Sequence, residues 1–235
     1  SEDAPENTLA SIKSAFDQKA DGVEVDIRLT KDNQIVCHHD KNCLRTSGTS
    51  IAIKDSNYTE LKKLDVGSWF GDRWKKETIP LLGEVIDLIP NKREIYIEVK
   101  TGTEIVNQLL KEIYQYKEKI NDISIISFYP EVIREIKSIE PKLTANLLIN
   151  FEDPKLIEES EMVSVMNAIN ADGIGAQNHG SLDLNFCNKI NIESKKVHVW
   201  TVNSKEEAKK YYELGVDSIT TNCPGNIKEY LSNSI

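Results

Sequence analysis

Glu24, Asp26 and Arg28 occupy alternate positions of GVEVDIRLT (residues 22–30), with Val23, Val25 and Ile27 between them. At the two-residue period of a β-strand this gives one apolar side and one charged side that begins with two carboxylates. A second segment, IYIEVK (95–100), has the same habit, with Tyr96, Glu98 and Lys100 on one side and Ile95, Ile97 and Val99 on the other. A half-exposed strand with a solvated face explains either segment alone. Acids toward the C-terminal ends of two separate strands suggest something else, because converging carboxylates repel one another unless a cation sits between them. Hard oxygen ligands suit Mg²⁺ or Ca²⁺ rather than zinc. Glu24, Asp26 and Glu98 are therefore the expected ligands of one divalent cation.

HHD at 38–40 follows the first charged strand closely. Proton transfer near neutral pH favours histidine. In an extended segment His38 and His39 point opposite ways, and His39, followed by Asp40, is the candidate acid/base. His179 and His198 read as structural.

The elements that must position these groups alternate between short β runs and amphipathic helices. A turn, APENT, leads into a helix from Leu9 that Asn7 or Thr8 caps. Then come the strand at 22–28 and its hairpin partner QIVCHH. Residues 43–80 break the rhythm: polar, with a short helical piece TELKKLDVG and the aromatics Trp69, Phe70 and Trp74, they read as an insertion. The alternation resumes with helix 80–89 and strands at 94–100, 122–128, 143–149, 172–177, 196–202 and 216–221, separated by helices. One of these covers 153–169. Thr101 with Glu104, and Ser204 with Glu207, form capping-box patterns, and Gly215 is a helix stop.

Seven forward strands in repeated βα units predict a parallel sheet, either open or closed into a barrel. No G-x-G-x-x-G follows the first strand, which weakens the dinucleotide-binding version. The expected fold is α/β, a TIM-type (β/α)8 barrel in a single domain over 1–235 with an insertion at about 43–80. Its first strand is expected to lie upstream of Ser1.

The 235-residue chain carries a net charge of −9, without a basic stripe, which argues against a nucleic-acid partner. No apolar run approaches the roughly 20 residues of a membrane span. The four cysteines show no metal or disulfide spacing. Oligomeric state and compartment leave no signature.

PENTLASIKSAF, GVEVDIRLTKDNQIVCHHD, LRTSGT, TELKKLDVGSWF, IPLLGEVIDLI, IEVK, SFYPEVI, WTVN and GVDSITTNCP stand in the order found in glycerophosphodiester phosphodiesterases. The chain resembles that family over nearly its whole length. The resemblance implies a metal-dependent barrel hydrolase that cleaves small glycerophosphodiesters to sn-glycerol 3-phosphate and an alcohol. It implies that Glu24, Asp26 and Glu98 hold the cation and that His39 is a catalytic acid/base. Lys100 would contact phosphate, and Trp200 would line the pocket for the glycerol or the departing alcohol. Against these last two stand plainer roles, a Lys100 ion pair and a Trp200 that fills the barrel mouth. The family's H-R-G strand, with a second histidine and an arginine, is not in this sequence. Asn222, Gly83 and the doubled His38-His39 also depart from the pattern. Two other readings stay open: a non-catalytic metal and phosphodiester-binding barrel, and a phospholipase of the sphingomyelinase D type, for which Trp69, Phe70 and Trp74 would form an apolar rim.

Overall fold

The computed structural model describes residues 1–153, 159–192 and 194–234, and for 159 and 160 the backbone only. Two compact units divide the chain, Ser1–Ile123 and Ser124–Ile235.

The first unit opens with α1 (Leu9–Asp17). Thr8 caps it: its Oγ1 accepts from the Ser11 amide at 3.2 Å while its own amide donates to Ser11 Oγ. Asn7, the other expected cap, has a positive φ of 54° and turns to a different task described below. Strand β1 (Gly22–Leu29) pairs antiparallel with β2 (Ile35–Cys37) and parallel with β3 (Glu94–Val99). The parallel register sets Asp26 opposite Glu98 and Gly22 opposite Glu94. At Gly22 a β-carbon would lie 2.7 Å from the Glu94 carbonyl oxygen, so the two strands approach there only because the side chain is absent.

The insertion has a small core of its own. Its short helices α2 (Leu44–Ser47) and α3 (Tyr58–Leu61) and two 3-10 turns gather Cys43, Ile53, Leu61, Val66 and Ile79 around Val36 of β2. Burying these apolar side chains against a strand gives a polar segment enough hydrophobic contact to stay in place. Helix α4 (Leu82–Leu88) starts where Glu84 accepts from the Leu81 amide. After β3 a 3-10 turn leads into α5 (Val106–Ile113). The expected Thr101–Glu104 capping box does not form. Glu104 accepts from the Gly102 amide instead, and the helical turn starts one residue later than that pattern requires.

The second unit is a run of βα units. In order it holds β4 (Ile123–Ser127, from its second residue onward), α6 (Pro130–Ile139), β5 (Thr144–Ile149), α7 (Glu159–Ala168), β6 (Gly173–Gln177), α8 (Leu184–Ile192), β7 (Lys196–Trp200), α9 (Lys205–Glu213), β8 (Ser218–Ile219) and α10 (Pro224–Ser234). Strands β4 to β8 pair in parallel in sequence order. They are short and apolar because both of their faces are covered; Leu147, Ile174, Val197 and Val199 are all buried. Ser204 caps α9 by accepting from Glu207, and Gly215 ends the turn after it with φ 74°. Part of the helix expected at 153–169 lies outside the described residues. All four cysteines are buried thiols. Among the described residues no helix is long and apolar enough to cross a membrane.

Candidate active site

The charged side of β1 is largely covered. Glu24 is half-buried, and Asp26 and Arg28, with Glu98 of β3, are each no more than 8% exposed, which argues against the solvated-face explanation. Each of Glu24, Asp26 and Glu98 offers a carboxylate oxygen, and these atoms lie within 4.8 Å of one another. The β1–β3 register produces this, because it places two acids on neighbouring strands at one level and a third two residues below, on the same face.

Lys100 follows directly after β3. Its ammonium lies 3.1 Å from Asp26 Oδ1 and 2.7 Å from Glu98 Oε1. Burial alone would lower the Lys100 pKa, and the two carboxylates outweigh it and raise the value. The plainer expectation for Lys100, an ion pair, is therefore met, and the pair joins it to two candidate ligands. One ammonium does not balance three acids. Desolvation, together with Asp26 and Glu98, pushes Glu24 well above the ordinary carboxylate range. Burial, with Asp26, also raises Glu98 in spite of the opposing pull of Lys100. Glu24 Oε1 is shut off from solvent and has no hydrogen-bond partner among the described residues. A sealed, unpartnered carboxylate oxygen beside two more is costly in the absence of a cation, and an all-oxygen donor set is what Mg²⁺ and Ca²⁺ take. The residues fit a divalent ion.

Two positioning contacts are absent from the sequence reading. The Asn7 carboxamide donates to Asp26 Oδ2 at 2.7 Å and accepts from the Asp26 amide at 2.9 Å. It leaves Asp26 Oδ1 toward Lys100. Arg28 donates through Nε and Nη2 to the His39 carbonyl at 3.0 and 2.6 Å and through Nη1 to the Lys100 carbonyl at 3.4 Å. One buried guanidinium thus fixes the backbone at both His39 and Lys100. The signals were present, in the PENT turn and as the third charge of the β1 row, but both partners are far away in sequence.

The two histidines separate as alternation predicts. His38 is buried, with Nδ1 at 3.0 Å from the Asp40 carbonyl and Nε2 at 3.0 Å from Thr46 Oγ1. Desolvation lowers its pKa, and both ring nitrogens are engaged. His39 has a half-exposed side chain, and its Nδ1 lies 2.8 Å from Asp40 Oδ1. Among the described residues no hydrogen bond engages its Nε2. His198 is buried, with Nδ1 at 2.8 Å from Ser218 Oγ and Nε2 at 3.1 Å from Thr220 Oγ1, and His179 stacks on Phe151.

Trp200 belongs to the second unit, at the C-terminal end of β7. Its Nε1 donates to the Gly175 carbonyl at 3.0 Å, and its ring meets Phe128 edge to face at 5.6 Å. The three insertion aromatics have different neighbours. Trp69 and Phe70 pair edge to face, whereas Trp74 lies under Arg73 and faces a groove beside α1.

A profile of the glycerophosphoryl diester phosphodiesterase family matches residues 1–226. The chain belongs to that family. A glycerophosphodiester phosphodiesterase of Caldanaerobacter subterraneus is 35% identical over 231 residues, covering 95% of this chain and 91% of the relative. A putative glycerophosphodiester phosphodiesterase of Bacillus subtilis is 33% identical, covering 94% and 90%. Among solved structures, an Oleispira antarctica phosphodiesterase in complex with the product sn-glycerol-3-phosphate superposes with a TM-score of 0.86 at 25% identity, covering 97% of this chain and 92% of that one. The fold class is α/β of the TIM-barrel type, and the protein is an enzyme, a glycerophosphodiester phosphodiesterase.

Proposed function

We propose that this phosphodiesterase cleaves glycerophosphodiesters to sn-glycerol 3-phosphate and an alcohol, with a divalent cation, Mg²⁺ or Ca²⁺, held by Glu24, Asp26 and Glu98. The observation that carries this reading is the sealed, unpartnered Glu24 Oε1 converging with two more carboxylates. A bound cation would offset charge on a non-bridging phosphate oxygen. Asn7 holds Asp26 in the orientation needed. Lys100, already fixed beside Asp26 and Glu98, offers its ammonium to the phosphate.

In the reaction a new P–O bond forms from the nucleophile, which loses a proton, and the P–O bond to the alcohol breaks, leaving an oxygen that gains one. The nucleophile is water, or the neighbouring glycerol hydroxyl by way of a cyclic phosphate that water then opens. His39 carries one of the two proton transfers through Nε2. The contact of Trp200 with the glycerol or the departing alcohol stays a proposal, tested by the KM of Trp200→Ala. The deciding experiment is sn-glycerol 3-phosphate release from glycerophosphoethanolamine with Mg²⁺, with Ca²⁺ and with EDTA. Release that EDTA abolishes and Glu24→Gln eliminates is expected. Equal release in EDTA would overturn the cation assignment, and no release in any arm would overturn the substrate assignment.

A further inference from the structure

The PENT turn and the LRTSGT segment meet at one guanidinium. Arg45 donates through Nε to Asp40 Oδ2 at 2.8 Å and through Nη2 to Asp40 Oδ1 at 3.1 Å. Its remaining edge takes Glu6, with Nη2 to Oε1 at 2.5 Å and Nη1 to Oε2 at 3.0 Å. Its Cζ lies over the Trp69 ring, 5.6 Å from the ring centre. Asp40 Oδ1 also receives His39 Nδ1 at 2.8 Å. Two carboxylates and an aromatic face thus hold one arginine, and that arginine holds both oxygens of the acid that touches the histidine.

The arrangement answers a physical need. The His39 ring is half exposed, so packing does not fix its rotamer, and Arg28 restrains only its backbone. Paired with Arg45, Asp40 is held well below the usual carboxylate range; it is ionised and only accepts hydrogen bonds. The proton on the His39 ring must then sit on Nδ1, which leaves Nε2 to face the substrate. The neighbouring Thr46 engages the other histidine at Nε2, so consecutive residues of LRTSGT hold His38 and His39 in opposite ways, one with both nitrogens engaged and one with Nε2 available.

We propose that Arg45, braced by Glu6 and Trp69, is a positioning residue that fixes the rotamer and the Nδ1–H tautomer of His39 through Asp40. This rests on the proposed acid/base role of His39. The test measures kcat and KM for His39→Ala, Arg45→Gln, Arg45→Lys and Glu6→Gln, together with long-range ¹H–¹⁵N spectra of the histidine rings. In the unsubstituted protein His39 should show a single Nδ1–H tautomer. Arg45→Gln should lower kcat by about tenfold or more, the scale of losing a partner that orients a working group, with KM within about twofold. Its His39 signals should become those of a tautomer mixture. Arg45→Lys keeps the charge but cannot hold two oxygens in a plane, and should recover kcat in part. If Arg45→Gln does not fold, Arg45→Lys and Glu6→Gln decide by the same readouts, and unchanged kcat and tautomer in both overturn the proposal. An inactive His39→Ala beside an Arg45→Gln with full kcat and one tautomer overturns the positioning role alone. Full activity in His39→Ala overturns the acid/base reading beneath it.

Discussion

As a ligand of the proposed cation, Glu24 would be a single side chain that is unfavourable for the fold and needed for function. Its carboxyl is desolvated beside two acids, so Glu24→Gln should raise the melting temperature of the metal-free protein, by about 2–4 °C for each kcal/mol relieved. The same substitution should abolish the cation's own stabilising effect, which for the unsubstituted protein at 100 times Kd is about 2.7 kcal/mol. Differential scanning calorimetry in EDTA and in Ca²⁺ checks both signs, and a Glu24→Gln protein that still gains stability from Ca²⁺ would remove Glu24 from the ligand set. Asn7 gives a sharper contrast. Were it only a helix cap, Asn7→Ala would cost about 1 kcal/mol of stability and leave the cation dependence alone. As the clamp on Asp26, it should instead raise the cation concentration needed for half-maximal turnover by about 10-fold to 100-fold. A metal titration of the Asn7→Ala activity separates the two. The residue types that hold charge were legible in the sequence because β alternation reports the facing of Glu24, Asp26, Glu98 and Lys100. The residues that orient them were not, because Asn7 meets Asp26 across 19 positions and Arg28 meets Lys100 across 72.

At the scale of elements, the β1–β3 register carries the site, and Gly22 lets the strands begin close enough to keep it. Gly22→Ala would force its β-carbon to within 2.7 Å of a backbone oxygen that cannot rotate away, so a loss of about 1–3 kcal/mol is expected. Urea unfolding of this variant checks it; an unchanged midpoint would mean that the strands relax apart without cost. The strand positions were readable from alternation in β1 and β3 and from short β-branched apolar runs between turn residues in β4 to β7, whereas the strand expected at 216–221 forms only over Ser218–Ile219. Helix starts were less so. Ser204 makes only its own half of the expected box, accepting from the Glu207 amide, whereas Thr101 and Glu104 have the right spacing but no box, since the backbone at Gly102 takes the Glu104 oxygen first. The insertion read as polar and irregular, and its small core around Val36 was hidden because its apolar residues follow no single period.

For the molecule as a whole, pH dependence of stability follows from what is buried in its charge state. His198 lies between Ser218 and Thr220, and burial lowers its pKa to about 4 from an ordinary 6.5. Between these values the unfolded chain binds a proton that the folded chain does not. Stability should therefore be greatest above about pH 6.5, fall as the pH drops toward 4, and level off below it, with a total of about 3 kcal/mol from this one group. The acid cluster contributes with the opposite sign, because Glu24 and Glu98 have raised pKa values in the fold and so favour the folded state as the pH falls. The raw stability profile mixes the two, and the difference between the unsubstituted protein and His198→Gln isolates the histidine. That difference should change by about 3 kcal/mol across pH 6.5 to 4 in chemical denaturation curves, with the unsubstituted protein the one that loses more. Parallel curves would mean that the folded protein takes up the proton on His198, and that Ser218 and Thr220 can accept from a charged ring where they now satisfy a neutral one.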